Sequence, residues 1–247
     1  MMGPVSQTVI ATGAAPTVAT MLTEIGKAMP TAGSPDGAAV IDVAPAAADD
    51  PRGAGFGSVV LPVFITGIAL GMAAALVGRR RRVMAAVLPI GAAVVGATVV
   101  GVAMWSGVLV GGFWGQWLAM STGILAIGAL VTGVVSVIGP PGAGVAALVV
   151  MIVGMPLAGI AVPSEFLPPF WGGLGQLLPL GATGTALRSA AFFNPSGLIG
   201  AGAGMAYLVL IGWIVFGYAL TLIKRKPAVA PAVAAREDLA EEPVAVS

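Results

Sequence analysis

From position 58 to 78 the chain reads SVVLPVFITGIALGMAAALVG, about 20 residues without a single Asp, Glu, Lys or Arg. A helix rising 1.5 Å per residue needs about that length to cross a hydrocarbon core of ~30 Å. Four further stretches, at about 83–105, 118–138, 143–162 and 201–223, are equally free of charge. Only 9% of the residues are charged and 58% are hydrophobic, with a mean hydropathy of +1.03. An ordinary soluble domain is about a quarter charged, so too few charges remain to cover a water-soluble surface. The pattern predicts an all-α, polytopic transmembrane helix bundle of about five spans over residues 56–223.

The segments between the runs are punctuated by turn formers. Arg79, Arg80, Arg81 and Arg82 stop the first run, and Lys224, Arg225 and Lys226 stop the last. Residues 106–117 read as a loop in which Trp114 and Trp117, close after Trp105, mark one membrane interface. Gly139-Pro140-Pro141-Gly142 reads as a tight turn. Residues 163–200 are apolar but broken by Pro163, Pro168, Pro169, Pro179 and Pro195. Pieces that short beside a membrane are expected to form external re-entrant or interfacial helices. Residues 1–55 are the least hydrophobic part. There, 5–29 reads as a helix interrupted near Pro16, and AAVIDV at 38–43 as a short strand before a Pro-, Gly- and Asp-rich exit. Residues 224–247, rich in Pro, Ala and Glu, are expected to be a disordered tail.

Basic residues orient the bundle. With five spans, the Arg79–Arg82 loop and the C-terminal tail share a side that holds eight of the eleven Lys and Arg residues; Lys27, Arg52 and Arg188 fall on the other. The positive-inside rule then predicts a multi-pass protein of the cell membrane, with the arginine run and C-terminus in the cytoplasm and residues 1–55 and 163–200 outside. An outside N-terminal segment that lacks a signal peptide is expected to be the remnant of a larger extracytoplasmic domain following an upstream span.

Several kinds of chemistry are poorly served. The chain has no Cys and no His, which excludes disulfides, thiolate nucleophiles and Cys/His zinc sites. No acid or base lies within the expected spans, which argues against a proton-coupled pump. GPPGAG at 139–144 imitates a phosphate loop, but Val145 stands where that loop needs Lys. Ser121 before Gly123 imitates a nucleophile elbow without a His to serve it. We therefore expect no enzyme activity, no cofactor, no bound metal and no nucleic-acid partner. Membrane lipid is the expected partner.

The candidate residues that remain concern packing and charge. Gly67 and Gly71 form a GxxxG pair, and Ala129 with Gly133 and Gly200 with Gly204 repeat the spacing, which lets helix backbones approach closely. Packing within the chain is the first reading of these pairs, and a homodimer face the second. Glu165 and Arg188 are the only charged residues of 163–200; they are candidates to pair across a re-entrant hairpin or to meet a polar head group. The Arg79–Arg82 run is a candidate contact for anionic lipid or a cytoplasmic partner as well as a topology signal.

An aqueous segment ending in IDVAPAAADDPRGAGFG leads straight into the first run, and PSEFLPPFWGGLGQLLPLGATGTALRSAAFF separates the last two. With Asp42, Pro45, Asp50, Pro51, Arg52 and Gly53 in the first, and Pro163, Phe166, Leu167, Pro168, Pro179 and Arg188 in the second, residues 36–223 resemble ABC-2-type membrane permeases, in particular their phage-infection-protein-like actinobacterial branch. The resemblance implies one further span and a large external domain upstream, short external helices between the last two spans, and a separate ATPase subunit as partner. It also implies export of a hydrophobic or amphiphilic substrate. The first cytoplasmic loop departs from that pattern, because little beyond Arg79–Arg82 is there to meet an ATPase. A non-transporting envelope protein that anchors an external domain is the alternative reading.

Overall fold

The computed structural model describes residues 7–13, 15–28, 39–48, 50, 54–77, 81–159, 168–193, 197–200 and 202–223. The tail at 224–247, Glu165, Arg79 and Arg80 lie outside these residues, as do the side chains of Arg81 and Arg82.

The described part of the first fifty residues is a small β-α-β unit. Strand β1 (Gln7–Ile10) pairs in parallel with β2 (Ala39–Asp42), in the register Gln7↔Ala39 to Ile10↔Asp42. Helix α1 (Pro16–Ala28) makes the crossover. β2 is the strand expected at AAVIDV. The helix expected at 5–29 is corrected: its first part is β1, and Pro16 starts α1 rather than interrupting it. The reason is local, since a first-turn residue has no use for the N–H that proline lacks. Asp42 ties the unit together by accepting from Thr12 N at 3.2 Å, Ala44 N at 3.1 Å and the Thr12 hydroxyl. Asp50 accepts from Gly55 N at 2.8 Å, placing a carboxylate at the electropositive head of the next helix.

Among the described residues, four helices are long and apolar enough to cross a membrane, and they make this an integral membrane protein. They are α2 (Ala54–Val77), α3 (Arg81–Trp105), α4 (Phe113–Ile138) and α8 (Gly204–Leu222). The fourth expected span, at 143–162, is a shorter apolar helix among the described residues. It is α5 (Pro141–Leu157), 17 residues with a π-turn at Val150–Gly154. At 1.5 Å per residue it covers ~25 Å, less than a ~30 Å core. The π-turn falls just before Pro156, which cannot donate back along the helix. Gly159, at φ 67°, then takes the left-handed conformation that commonly closes a helix.

α4 is the centre. It starts at Phe113, five residues before the expected Leu118, so Gln116 and Trp117 belong to the helix rather than to a loop. Most of α4 is buried from Gly115 to Gly133. The helix pairs approach backbone to backbone. A Cβ on Gly71 would stand 2.6 Å from Gly128 O, and one on Gly67 would stand 2.8 Å from Ile127 Cβ. On another face of α4, a Cβ on Gly133 would stand 2.5 Å from Gly217 O of α8, and Gly217 itself lies against the Ala129 carbonyl. The spacings at 67/71 and 129/133 thus pack helices of this chain. Gly200 and Gly204 do not share a helix face. Gly200 precedes α8 and lies against Ser189, while Gly204 opens α8 and faces empty space.

The two ends of the bundle differ. The start of α3, which Arg81 opens, meets the last turns of α8, where Tyr218 Oη donates to Ala85 O at 3.3 Å, so Arg81 and the close of α8 share one end of the bundle, the arginine end. Trp105, Trp114, Phe170 and Phe193 are exposed at the other.

Overpacking separates these glycines. Gly71→Leu drives a side chain into the α4 backbone and is expected to cost ~1–3 kcal/mol or more. Gly101→Ala, whose Cβ would meet nothing within 4 Å, is expected to be neutral or to stabilise by ~0.5–1 kcal/mol. Thermal midpoints of the purified variants in detergent check both.

Candidate functional site

At the end of the bundle opposite Arg81, the chain folds into a helical hairpin between α5 and α8. Its arms are α6 (Pro169–Gln176) and α7 (Pro179–Arg188), and α7 continues into a π-turn at Ser189–Phe193. Proline dictates the break. Pro169 and Pro179 each occupy a first helical turn, and Leu178 ahead of Pro179 is extended at φ −89° and ψ 150°, as a residue before proline prefers to be. This is the short-helix arrangement expected of 163–200.

The arms have different environments. α6 presents Phe170 and Trp171 outward, whereas α7 is enclosed: Ala182, Thr183, Ala186 and Leu187 are each 0% exposed. Thr183 lies where any side chain on Gly123 of α4 would stand. Its hydroxyl donates within its own helix, to Pro179 O at 2.6 Å. Gln176 links three pieces by accepting from the Thr185 hydroxyl at 2.5 Å and donating to Ala158 O at 3.4 Å, at the end of α5. Gly175 and Gly181 are indispensable spacers, since a Cβ on either would collide with the Leu157 carbonyl or with Gly175 O.

Arg188 ends α7, half-buried. Its Nη2 donates to Gly159 O at 3.3 Å, and its guanidinium stands 5.0 Å from the ring centroid of Phe56, at the head of α2. Phe56 in turn packs on Phe192 with ring centroids 5.8 Å apart. A cation over an aromatic face contributes ~0.5–1 kcal/mol when exposed and ~2 when desolvated. The expected partner, Glu165, lies outside the described residues.

Beside the hairpin a groove of about 350 Å³ opens on the bundle surface, lined by Leu177, Val209, Gly212, Trp213 and Phe216. Trp213 Nε1 donates to Leu177 O at 2.8 Å, fixing α8 to the link between the hairpin arms. A Cβ on Gly212 would meet nothing within 4 Å, so that lining position leaves the groove open. A second groove of about 270 Å³, lined by residues including Met72, Leu76, Val135 and Ser136, lies towards the arginine end.

Of the candidate residues, the structure brings Arg188 to the hairpin, and Gly67, Gly71, Ala129 and Gly133 to helix contacts remote from it. It does not bring Gly200 and Gly204 together. Phe56, Gly159, Gln176 and Trp213 were not legible as a group. The one available signal was Trp213, a tryptophan in mid-span rather than at an interface. Gln116 was also missed: it is fully buried, its Nε2 donates to Val110 O, and its Oε1 finds no partner among the described residues.

Comparison with protein-family models, with curated proteins and with solved structures finds no match for this chain.

Trp213→Phe keeps the groove wall and removes the bond to Leu177. It is expected to loosen the α8–hairpin contact by ~0.5–1.5 kcal/mol. Gly212→Leu keeps the bond and fills the groove; in a variant whose only tryptophan is Trp213, it is expected to lower quenching by brominated acyl chains. Thermal unfolding checks the first expectation, and tryptophan fluorescence in bromolipid micelles checks the second.

Proposed function

We propose that this chain is the membrane-embedded permease component of an ABC-2-like export system, passing a hydrophobic or amphiphilic molecule while a separate ATPase subunit supplies the energy. The observation that carries this reading is the enclosed hairpin arm α7 beside an apolar groove open on the surface of the bundle. In hydrocarbon, a chain break within the bundle is tolerated only where protein buries it or a cavity receives it. Broken helices at such places are where many transporters hold their substrates. The groove offers apolar and aromatic surface, and the hairpin adds backbone carbonyls and one cation, which suit an apolar body with a polar or anionic end. The resemblance of residues 36–223 to permeases of this type points the same way. The arginine end would be cytoplasmic and the hairpin end outside, by the bias of Lys and Arg. No catalytic step is assigned to this chain.

A second reading, an envelope protein that anchors an external domain, is favoured by the β-α-β unit. All four residues of β2 are exposed, and Val9, Met21 and Ile25 are more than half exposed. Parallel strands are normally covered on both faces.

The two readings separate in one preparation. The protein extracted from its native membrane in mild detergent is expected to carry an ATPase subunit in fixed proportion, identified by mass spectrometry. Recovery with only itself or envelope proteins would sink ATP-driven export and leave the anchor.

A further inference from the structure

The β-α-β unit and the hairpin are far apart in sequence, yet one line of contacts joins them. Gly13 follows β1 and is buried. The Phe192 ring lies so close that a Cβ on Gly13 would stand 2.5 Å from its Cδ1. Phe192 belongs to the π-turn that extends α7. It packs on Phe56 at 5.8 Å, Phe56 lies under the Arg188 guanidinium at 5.0 Å, and Arg188 donates to Gly159 O at 3.3 Å. The line therefore runs from the β-α-β unit, across the head of α2 and the end of α7, to the end of α5. Both π-turns described, Val150–Gly154 and Ser189–Phe193, belong to helical runs that adjoin α7. Such turns are wide, weakly bonded steps in a helix and recur at functional sites.

We propose that Arg188, Phe56 and Phe192 form a latch through which the β-α-β unit holds the α6–α7 hairpin in its seat, with Arg188 as the positioning residue. The physical basis is the kind of contact involved. The enclosed face of α7 meets its neighbours through apolar packing and small residues, which can part without leaving a charge uncompensated. Arg188 cannot leave in that way. Lifting α7 takes the guanidinium off the Phe56 ring and off the Gly159 carbonyl together, and the Phe56 ring stays under the guanidinium only while Phe192 and the β-α-β unit back it. A ligand or partner that shifts the β-α-β unit would thus loosen the hairpin from outside the bundle. This concerns the seating of the hairpin, and its test does not depend on whether the chain transports anything.

The chain has no cysteine, so a single introduced thiol reports cleanly. Ala186→Cys places one on α7, and Ala74→Cys places one between α2 and α3 nearer the arginine end; both parent residues are 0% exposed. Each is exposed to N-ethylmaleimide in the intact, detergent-purified protein. Arg188→Met is expected to speed labelling of Ala186→Cys by about tenfold, the scale implied by losing a partly desolvated cation–π contact. Arg188→Lys should fall between Met and the parent. Ala74→Cys should stay unreactive throughout. Gly13→Ala reads the same latch from the far end and strains no backbone, because Gly13 is not among the glycines with positive φ. It should speed labelling in the parent and add nothing once Phe192→Ala has removed the ring, as coupled residues behave. The proposal is overturned if Ala186→Cys stays unreactive in these variants, if Ala74→Cys becomes reactive along with it, or if Gly13→Ala acts equally with and without the Phe192 ring. Should Arg188→Met fail to fold, the Gly13 and Phe192 pair decides alone.

Discussion

The close approach of backbones along α4 is the contact on which the rest of the molecule hangs. In lipid, two helices gain little by hiding apolar side chains from each other, because the solvent is as apolar as they are. What remains is dispersion at short range and hydrogen bonds across the gap. Both are present here. Gly71 faces the Gly128 carbonyl, Gly217 faces the Ala129 carbonyl, and the Thr132 hydroxyl spans the first of these gaps, donating to Gly71 O at 2.9 Å and to its own Gly128 O at 2.8 Å. A larger residue at any of these positions would push a helix away and take the other contacts with it.

Such packing at mid-height also determines what can happen at the end bearing the hairpin. With α2 and α8 drawn tightly onto α4, α7 packs closely where it meets α4 at Gly123, and small residues allow that approach. Gly181, Ala182, Thr183, Gly184 and Ala186 make up half of the ten residues of α7 and are all buried. The groove lined by Trp213 lies along the same seam, where Trp213 ties the link between the hairpin arms to α8 and Gly212 adds no side chain to fill the space.

Long elements were legible because lipid imposes one strong rule on them, the exclusion of charge over ~20 residues. α2, α3 and α8 follow that rule to within a few residues, and the proline-broken 163–200 fails it and is, in its described part, a pair of short helices. The misses share a cause. Gln116 and Trp117 read as loop because they are polar or interfacial in type, yet a buried glutamine that bonds to the Val110 carbonyl is at home in a helix. Gly200 and Gly204 have the right spacing in sequence but straddle a helix start, so no face unites them. Pro16 read as a break because sequence alone does not say whether proline stands first or in the middle. The hairpin itself was foreseeable, but its partners were not. Phe56 at the head of α2 and Gly159 after α5 are distant in the chain from Gln176 and Arg188 of the hairpin, and they meet them only through tertiary packing.

The short α5 explains why those partners meet. A helix end packed among apolar groups leaves carbonyls at and just past its last turn with no intrahelical donor, and apolar surroundings offer none in return. α5 stops at Leu157, and Gly159 turns the chain away. The hairpin supplies what the helix lacks: Gln176 donates to Ala158 O, Arg188 donates to Gly159 O, and Gly175 lets the α6 backbone lie against the Leu157 carbonyl. In effect α6 and α7 cap the end of α5, and one of the caps is a cation. A neutral donor such as glutamine would satisfy the carbonyl equally well. Arginine at 188 adds what glutamine cannot, an attraction to the Phe56 ring that ties the cap to α2 and, through Phe192, to the β-α-β unit. The same residue therefore closes the end of α5 and makes that closure sensitive to structure outside the bundle.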